Sequence, residues 1–241
     1  MGNTETRMAS EEWSIMKCAI MQPTYYPWAG YFNLISKVDY FVFLDDAQFQ
    51  KGSWHNRNKL ILNGKPSWVT IPVVREFLGQ KICDSKLDDT KTWRKEHFNS
   101  IYQNYSKHPY FEKILPLIEF IKDESYTLLS SFNIRIIKEI SKILDLETTF
   151  ILSSDLGVSG KRSEWIINIC EKLGCSEYIS PKGAKTYLEE DGFDSLSNIK
   201  LTINDFIPKS YLQMKSRNFE SHLSIIDVMA NIGPKTKDYI L

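Results

Sequence analysis

The sequence predicts an α/β protein with a mainly parallel sheet and an α-helical insertion. Three observations carry this. The opening segment runs strand, helix, strand at short spacing. A middle stretch of roughly fifty residues has apolar side chains at helical period. Strand–helix alternation then resumes after residue 146.

Lys17 to Met21 is a short apolar run stopped by Gln22-Pro23, which reads as a buried strand ended by a breaker. Phe32, Leu34 and Ile35 give Gly30 to Lys37 the pattern of one helix. Tyr40 to Leu44 is a second buried strand, ended by Asp45-Asp46. Strand, helix and strand at this spacing form a βαβ unit with a right-handed crossover and a parallel pair. Lys59 to Leu62, then Asn63-Gly64, then Trp68 to Val73 reads as a hairpin, because Asn-Gly favours the type I′ turn. Leu78 to Thr90 is polar and reads as an exposed loop. Thr92 to Tyr105, Pro109 to Lys122 and Tyr126 to Leu144 are three helical stretches. Beyond them come a strand at Thr148 to Leu152, a helix at Ser163 to Leu173, and a strand at Glu177 to Ser180. A short helix at Ala184 to Leu188, a strand at Lys200 to Ile203 and a last helix at Ser224 to Ala230 complete the pattern.

The domain reading follows. Residues 16–90 and 146–241 form an α/β core domain, and residues 91–145 a helical subdomain. Residues 1–15 are a polar, acid-bearing extension, read as disordered or as an appended remnant, without the basic start and apolar stretch of a signal peptide. Thirty basic and thirty acidic residues cancel, which argues against a dedicated nucleic-acid binder. No apolar run reaches the ~18 residues that span a bilayer, so no membrane insertion is expected. Cys18, Cys83, Cys170 and Cys175 form no C-x-x-C pair, which fits a reduced, cytoplasmic location, and Cys170 and Cys175 read as buried thiols.

Ligands of open parallel sheets bind beyond the carboxyl ends of the strands. Two such ends are rich in chemistry here. After the first strand come Gln22, Tyr25, Trp28, Gly30 and Tyr31, with Pro23 and Pro27 to fix the loop and Gly30 to let backbone approach a ligand. The plainer alternative is a rigid strand-to-helix connection around a buried Trp. After the second strand come Asp45, Asp46 and Gln48. Either acid can accept a proton or hold Mg²⁺, and either can equally be a helix cap. Trp54, His55, Asn56, Arg57 and Lys59 form the densest polar run. Arg57 and Lys59 share one strand face and suit a diphosphate, Asn56 and Asn58 share the other, and His55 is a candidate acid–base. The competing reading is a hairpin edge with ordinary surface charges. Ser180 and Lys182, ahead of Gly183, make a second phosphate contact or a plain βα turn. His97 reads as a satisfied, partly buried ring, His108 as a helix junction, and His222 as a capping or surface residue. Four dispersed histidines give no metal motif. No G-x-G-x-x-G, Walker A, G-x-S-x-G or H-E-x-x-H is present.

QPTYYPWAGYFNLISKVDYFVFLDDAQFQKGSWHNRNKL, residues 22–60, resembles the signature of the WbqC-like family. W-x-x-x-H at Trp93 to His97, Ser153 to Leu156, EYISPKGAKTYL and LSIIDVMANIG also fit, so the resemblance covers about residues 17 to 233. It implies a role in bacterial O-antigen, lipopolysaccharide or other surface-polysaccharide synthesis. A fainter similarity, in the spacing of strand, Pro, Gly, helix, strand and Asp-Ala-Gln-Phe, is to pantothenate synthetase and its nucleotidyltransferase relatives. It implies a nucleotidyltransferase or Rossmann-like core. The two signature histidines of those enzymes would fall on Trp28 and Tyr31, neither of which replaces an imidazole on a phosphate, so the similarity reaches the fold and not ATP activation.

These readings converge on a transferase or amide-forming ligase. It would move an acyl or aminoacyl group to the amine of an amino-sugar nucleotide. Arg57 and Lys59 would hold the diphosphate, and Asp45, Asp46 or His55 would accept a proton. Trp28 or Tyr25 would stack on a ring, while Gln22 and Gln48 orient the substrate. The donor is open between ATP with Mg²⁺ and an acyl-CoA. The alternatives are an ATP-using nucleotidyltransferase and a non-catalytic sugar-nucleotide-binding protein. A homodimer is the assembly considered.

Overall fold

A computed structural model describes residues 15–241. The expected extension, residues 1–15, lies outside the described residues except for Ile15. The strands are β1 (Lys17–Met21), β2 (Tyr40–Phe43), β3 (Arg57–Leu62), β4 (Lys65–Thr70), β5 (Thr149–Leu152), β6 (Glu177–Pro181) and β7 (Lys200–Asn204). The helices are α1 (Ala29–Ile35), α2 (Trp93–Tyr105), α3 (Phe111–Glu119), α4 (Leu129–Ile143), α5 (Ser153–Leu156), α6 (Ser163–Lys172), α7 (Lys185–Glu190), α8 (Phe193–Leu196), α9 (Ile225–Ile232) and α10 (Thr236–Ile240).

Five strands make one parallel sheet in the order β5-β2-β1-β6-β7, and β3 and β4 form a separate antiparallel hairpin. Successive side chains of a strand point to opposite faces, and both faces here are apolar. Ala19, Phe41, Phe43 and Ile179 enter one cluster with α1, while Cys18, Ile20, Val42 and Tyr178 enter another with α6. The chain leaves β1 through α1 towards β2 and β5, then returns through α6 to β6 on the far side of β1. Right-handed crossovers running in opposite directions put their helices on opposite faces. The direction reverses between β1 and β6, and that reversal is where open parallel sheets hold ligands.

The α1 face carries more cover. Residues of α2, α3, α4 and α9 join the same continuous cluster, so the helices of residues 91–145 pack directly on the sheet and hairpin. Arg94 holds them together, donating to Asp89 and to the carbonyls of Ile121, Asp123 and Tyr126. The W-x-x-x-H motif is thus a packing device: Trp93 Nε1 donates to Asp89, and His97 Nδ1 shares a 3.1 Å hydrogen bond with Tyr25 Oη.

Several boundaries differ from expectation. The hairpin turn has Asn63 and Gly64 at φ 52° and 77°, as a type I′ turn requires, so its second strand resumes at once, at Lys65 rather than Trp68. Leu78 to Thr90 is not an exposed loop throughout. Ile82, Ser85 and Leu87 are buried, because the segment runs beside residues 45–49: Phe49 donates to Gln80 O, Ile82 to Ala47 O and Cys83 to Asp45 O. The short helices α5, α8 and α10 span too few residues to show a period.

Candidate functional site

The crevice beyond β1 opens where its sequence predicts, and backbone hydrogen bonds fix its walls. Tyr25 N–H donates to Trp54 O, Ser224 N–H to Lys59 O and Ile225 N–H to Pro27 O, so the β1 loop, the hairpin and the start of α9 meet at one point. Tyr26 sits at φ +40°, in the left-handed region, and Asn58 Nδ2 steadies that turn by donating to the carbonyls of Tyr25 and Tyr26. Asn133 Nδ2 does the same for the carbonyls of Pro23 and His55. Asn56 serves the hairpin, accepting from Gly52 N–H and donating to Ile71 O.

The cavity at this point holds about 420 Å³. Gln22, Trp28, Tyr31, Gln48, Trp54 and His55 line it, together with His222. Gly30 is required by Trp28 rather than by a ligand: a Cβ there would lie 2.2 Å from Trp28 Cη2, so its absence lets the indole fold back over α1. Against the other face of the crevice the indole meets the His222 ring, centroids 4.6 Å apart, and Phe206 at 5.7 Å. Tyr31 Oη donates to Gln22 O, and burial holds its proton by raising the pKa.

His55 is buried and forms part of the cavity's floor. Gln50 N–H donates to its Nδ1 at 3.3 Å, and burial lowers its pKa to about 4. The ring is therefore neutral at pH 7, with its proton on Nε2. What it offers is an N–H donor, and the lone pair that a proton acceptor needs is already engaged.

At the mouth stands an aromatic pair. Trp54 and Trp68 are 46% and 43% exposed, with centroids 5.2 Å apart. Arg57 lies 4.1 Å and Lys59 Nζ 4.9 Å from the Trp68 ring centroid, so both cations do occupy one face of the hairpin. Neither has a carboxylate partner among the described residues. Neither lines the cavity itself.

Other predicted residues stand elsewhere. Tyr25 is buried against His97 and Phe132, out of reach of the cavity. Asp45 accepts from Ser154 N–H and Oγ and from Ser153 Oγ, and Asp46 accepts from the same Ser153 hydroxyl. Both acids thereby join the end of β2 to the first turn of α5, outside the cavity lined by Trp28 and His55. Ser180 is fully buried, and its hydroxyl is turned to Pro181 O and Tyr178 rather than to the crevice. Lys182 faces a second cavity of about 300 Å³ over the ends of β6 and β7. Among the described residues no group of three or more His, Cys, Asp or Glu is placed to hold a metal ion, and no helix is long and apolar enough to cross a membrane.

His222, read as a capping or surface residue, is exposed as a surface residue is, but that reading missed that it lines both cavities, at φ +58° with Nδ1 2.8 Å from Ser221 Oγ. Nothing local signals it, for it lies far along the chain from the dense motif. Its segment is held by buried Asp227, which accepts from Tyr105 Oη, Tyr211 Oη and Gln213 Nε2. Also missed is an open groove of about 550 Å³ on the α6 face, where Arg162, Trp165 and Tyr187 adjoin Gln22, Gln48 and Gln50.

Residues 22–239 match the WbqC-like protein family. The chain is 35% identical over 227 residues to the uncharacterized protein Rv1507c of Mycobacterium tuberculosis, covering 93% of this chain and 97% of that protein. The matched span contains every residue of the crevice except Met21, and on this match the chain belongs to the WbqC-like protein family.

Proposed function

We propose that this protein is a transferase of bacterial surface-polysaccharide synthesis that acylates or aminoacylates the amine of a nucleotide-linked amino sugar. The observation that carries the reading is the exposed Trp54–Trp68 pair with two cations, neither paired with an acid among the described residues, at the mouth of a cavity floored by neutral His55. Indole faces stack on a nucleobase. Arg57 and Lys59 beside them suit the diphosphate, since a guanidinium fork matches phosphate oxygens. The sugar then enters the cavity between Trp28 and Trp54, with Gln22 and Gln48 for its hydroxyls. His55 Nε2–H is the donor for the oxygen of the acyl carbonyl, which gathers negative charge when the amine attacks. Asp45 and Asp46 hold Ser153 and Ser154 and take no part in the proton transfer.

Isothermal titration with UDP-glucosamine and UDP-N-acetylglucosamine tests the reading. The free amine should bind in the micromolar range, and Arg57→Ala should weaken it without lowering Tm. Failure of both nucleotides to bind wild-type protein overturns the proposal. Binding of UDP-glucosamine without acylation, across thioester and ATP-dependent donors, would make it a sugar-nucleotide-binding protein instead.

A further inference from the structure

The proposed reaction has two substrates, and the crevice has two chambers on the α1 face. They adjoin at four side chains, Met21, Trp28, Tyr31 and His222. The first chamber lies against the hairpin. The second lies across the β1–β6 reversal, between Gly30 and Leu34 of α1 and the strand ends at Lys182, Gly183 and Asn204. Resting on the reading above, we infer that the second chamber takes the acyl group of a phosphate-bearing thioester donor, and that His222 is the catalytic residue that moves the proton where the two chambers meet.

The chamber's own chemistry supports this occupant. Met21, Leu34 and Phe206 give it apolar walls, which suit an acyl chain. Its rim carries Lys182, whose Nζ is paired with Asp205 at 2.8 Å, both side chains being more than half exposed. Such a surface pair is weak and easily exchanged for a ligand's phosphate. Gly183 faces the space, and a methyl group on its Cα would meet nothing within 4 Å. The inner polar group, Asn204, is already committed: it accepts from Lys37 Nζ and donates to Asn33 Oδ1.

His222 is singled out by elimination among the four shared side chains. Met21 and Trp28 cannot take a proton. Tyr31 donates its hydroxyl to Gln22 O and is held protonated by burial. His222 remains, with Nδ1 on Ser221 Oγ and its ring against Trp28. In the step, the sugar amine attacks the thioester carbonyl carbon and a C–N bond forms. The carbonyl oxygen takes the electron pair, opposite His55 Nε2–H. The oxygen's pair then re-forms the C=O bond as the C–S bond breaks with its pair on sulfur. The proton lost from nitrogen passes to the His222 ring and on to the thiolate, leaving an amide and a thiol.

The test is histidine ring NMR of the full chain, with the four histidines assigned by single substitutions, titrated separately with acetyl-CoA and UDP-glucosamine. Acetyl-CoA should move the His222 resonance and UDP-glucosamine the His55 resonance. Gly183→Leu, which fills the second chamber from a position with room for a side chain, should abolish the acetyl-CoA response and keep the other. His222→Gln should keep both binding responses, read from tryptophan fluorescence, and lower transfer at least ~100-fold. Absence of any His222 response to acetyl-CoA, or its persistence in Gly183→Leu, overturns the second chamber. A normal transfer rate in His222→Gln overturns the proton role. If acetyl-CoA behaves as expected and UDP-glucosamine binds nowhere, the sugar-nucleotide reading falls and the donor chamber stands.

Discussion

The amide of Gln50 donates to Nδ1 of His55, and this contact places the neutral ring's proton on Nε2. A ring with its pKa lowered to about 4 by burial keeps one tautomer across the neutral range. His55 should therefore show no titration between pH 8 and pH 5 in ring NMR, and its Nε2 should remain protonated. An inflection near the ordinary histidine value would remove it as a fixed donor. In the proposed reaction His55→Ala should lose about 100-fold or more in kcat, as when an oxyanion donor is removed.

Acid stability follows from the same burial. His55, His97 and His108 all have pKa values lowered from 6.5 to about 4, desolvation being the first cause in each. The His108 ring is buried and stacked on Tyr105. In the window between those two values the unfolded chain binds more protons than the folded one, so stability falls as pH falls. Each ring contributes a loss of up to about 2 kcal/mol between pH 7 and pH 5. Urea midpoints at pH 7, 6 and 5 should drop steadily, and His108→Phe should flatten the slope. A midpoint constant across this range would contradict the burial of these rings.

The Arg57–Trp68 face predicts a binding defect without a folding defect. Arg57→Ala removes a cation that has no acid partner among the described residues, so folding loses little, whereas a bound diphosphate loses a charge-assisted contact. The Kd for UDP-glucosamine should rise about 10- to 100-fold, with Tm moving by no more than a few degrees. Lys59→Ala should act in the same direction, and added salt should weaken wild-type binding more than either variant's. Equal affinity in wild type and Arg57→Ala would take the diphosphate off the hairpin.

Much of the sheet was legible because its signal is local. Lys17–Met21 and Tyr40–Phe43 are short apolar runs between breakers, and Asn63-Gly64 states its own turn. The outline of the crevice was legible too, since one segment, Gln22 to His55, supplies most of its lining. Roles were harder to read. Asp45-Asp46 has catalytic residue types, yet its partners are Ser153 and Ser154, fixed by tertiary contacts that no spacing encodes. His97, read as a satisfied, partly buried ring, is satisfied by its bond to Tyr25 and buried. His222 reaches the site through tertiary contacts, the bonds of Ser224 and Ile225 to Lys59 and Pro27 among them. Gly30 is informative for a reason the sequence hides, the position of its neighbour's indole.

Asp45 carries a prediction that separates support from chemistry. It is buried and accepts three hydrogen bonds from Ser153 and Ser154. Asp45→Ala leaves those donors without their acceptor and should cost about 2–4 kcal/mol in urea unfolding. Asp45→Asn keeps one acceptor oxygen and should cost less. If Asp45 only supports the fold, UDP-glucosamine affinity and the transfer rate of folded Asp45→Asn should stay within about threefold of wild type, well under the tenfold change that 1.4 kcal/mol brings. A loss of a hundredfold or more in kcat with unchanged stability would return it to the reaction as a base.

Gly30 and Trp28 give the sharpest packing test. A methyl group at position 30 would meet three atoms of the Trp28 ring, the nearest at 2.2 Å, and the indole must swing away to admit it. That swing breaks the stack on His222 and changes the partition between the two chambers. Gly30→Ala should lower stability by about 1–3 kcal/mol, the usual cost of overpacking, even though alanine is the better helix former by about 1 kcal/mol. The cost should be cancelled by the partner: Trp28→Ala in the same chain removes the clash, so the double variant should be no less stable than Trp28→Ala alone. A double-mutant cycle in urea measures this coupling directly. Additive effects would mean that the indole does not lie over Gly30, and the wall between the chambers would have to be built from His222 and Phe206 without it.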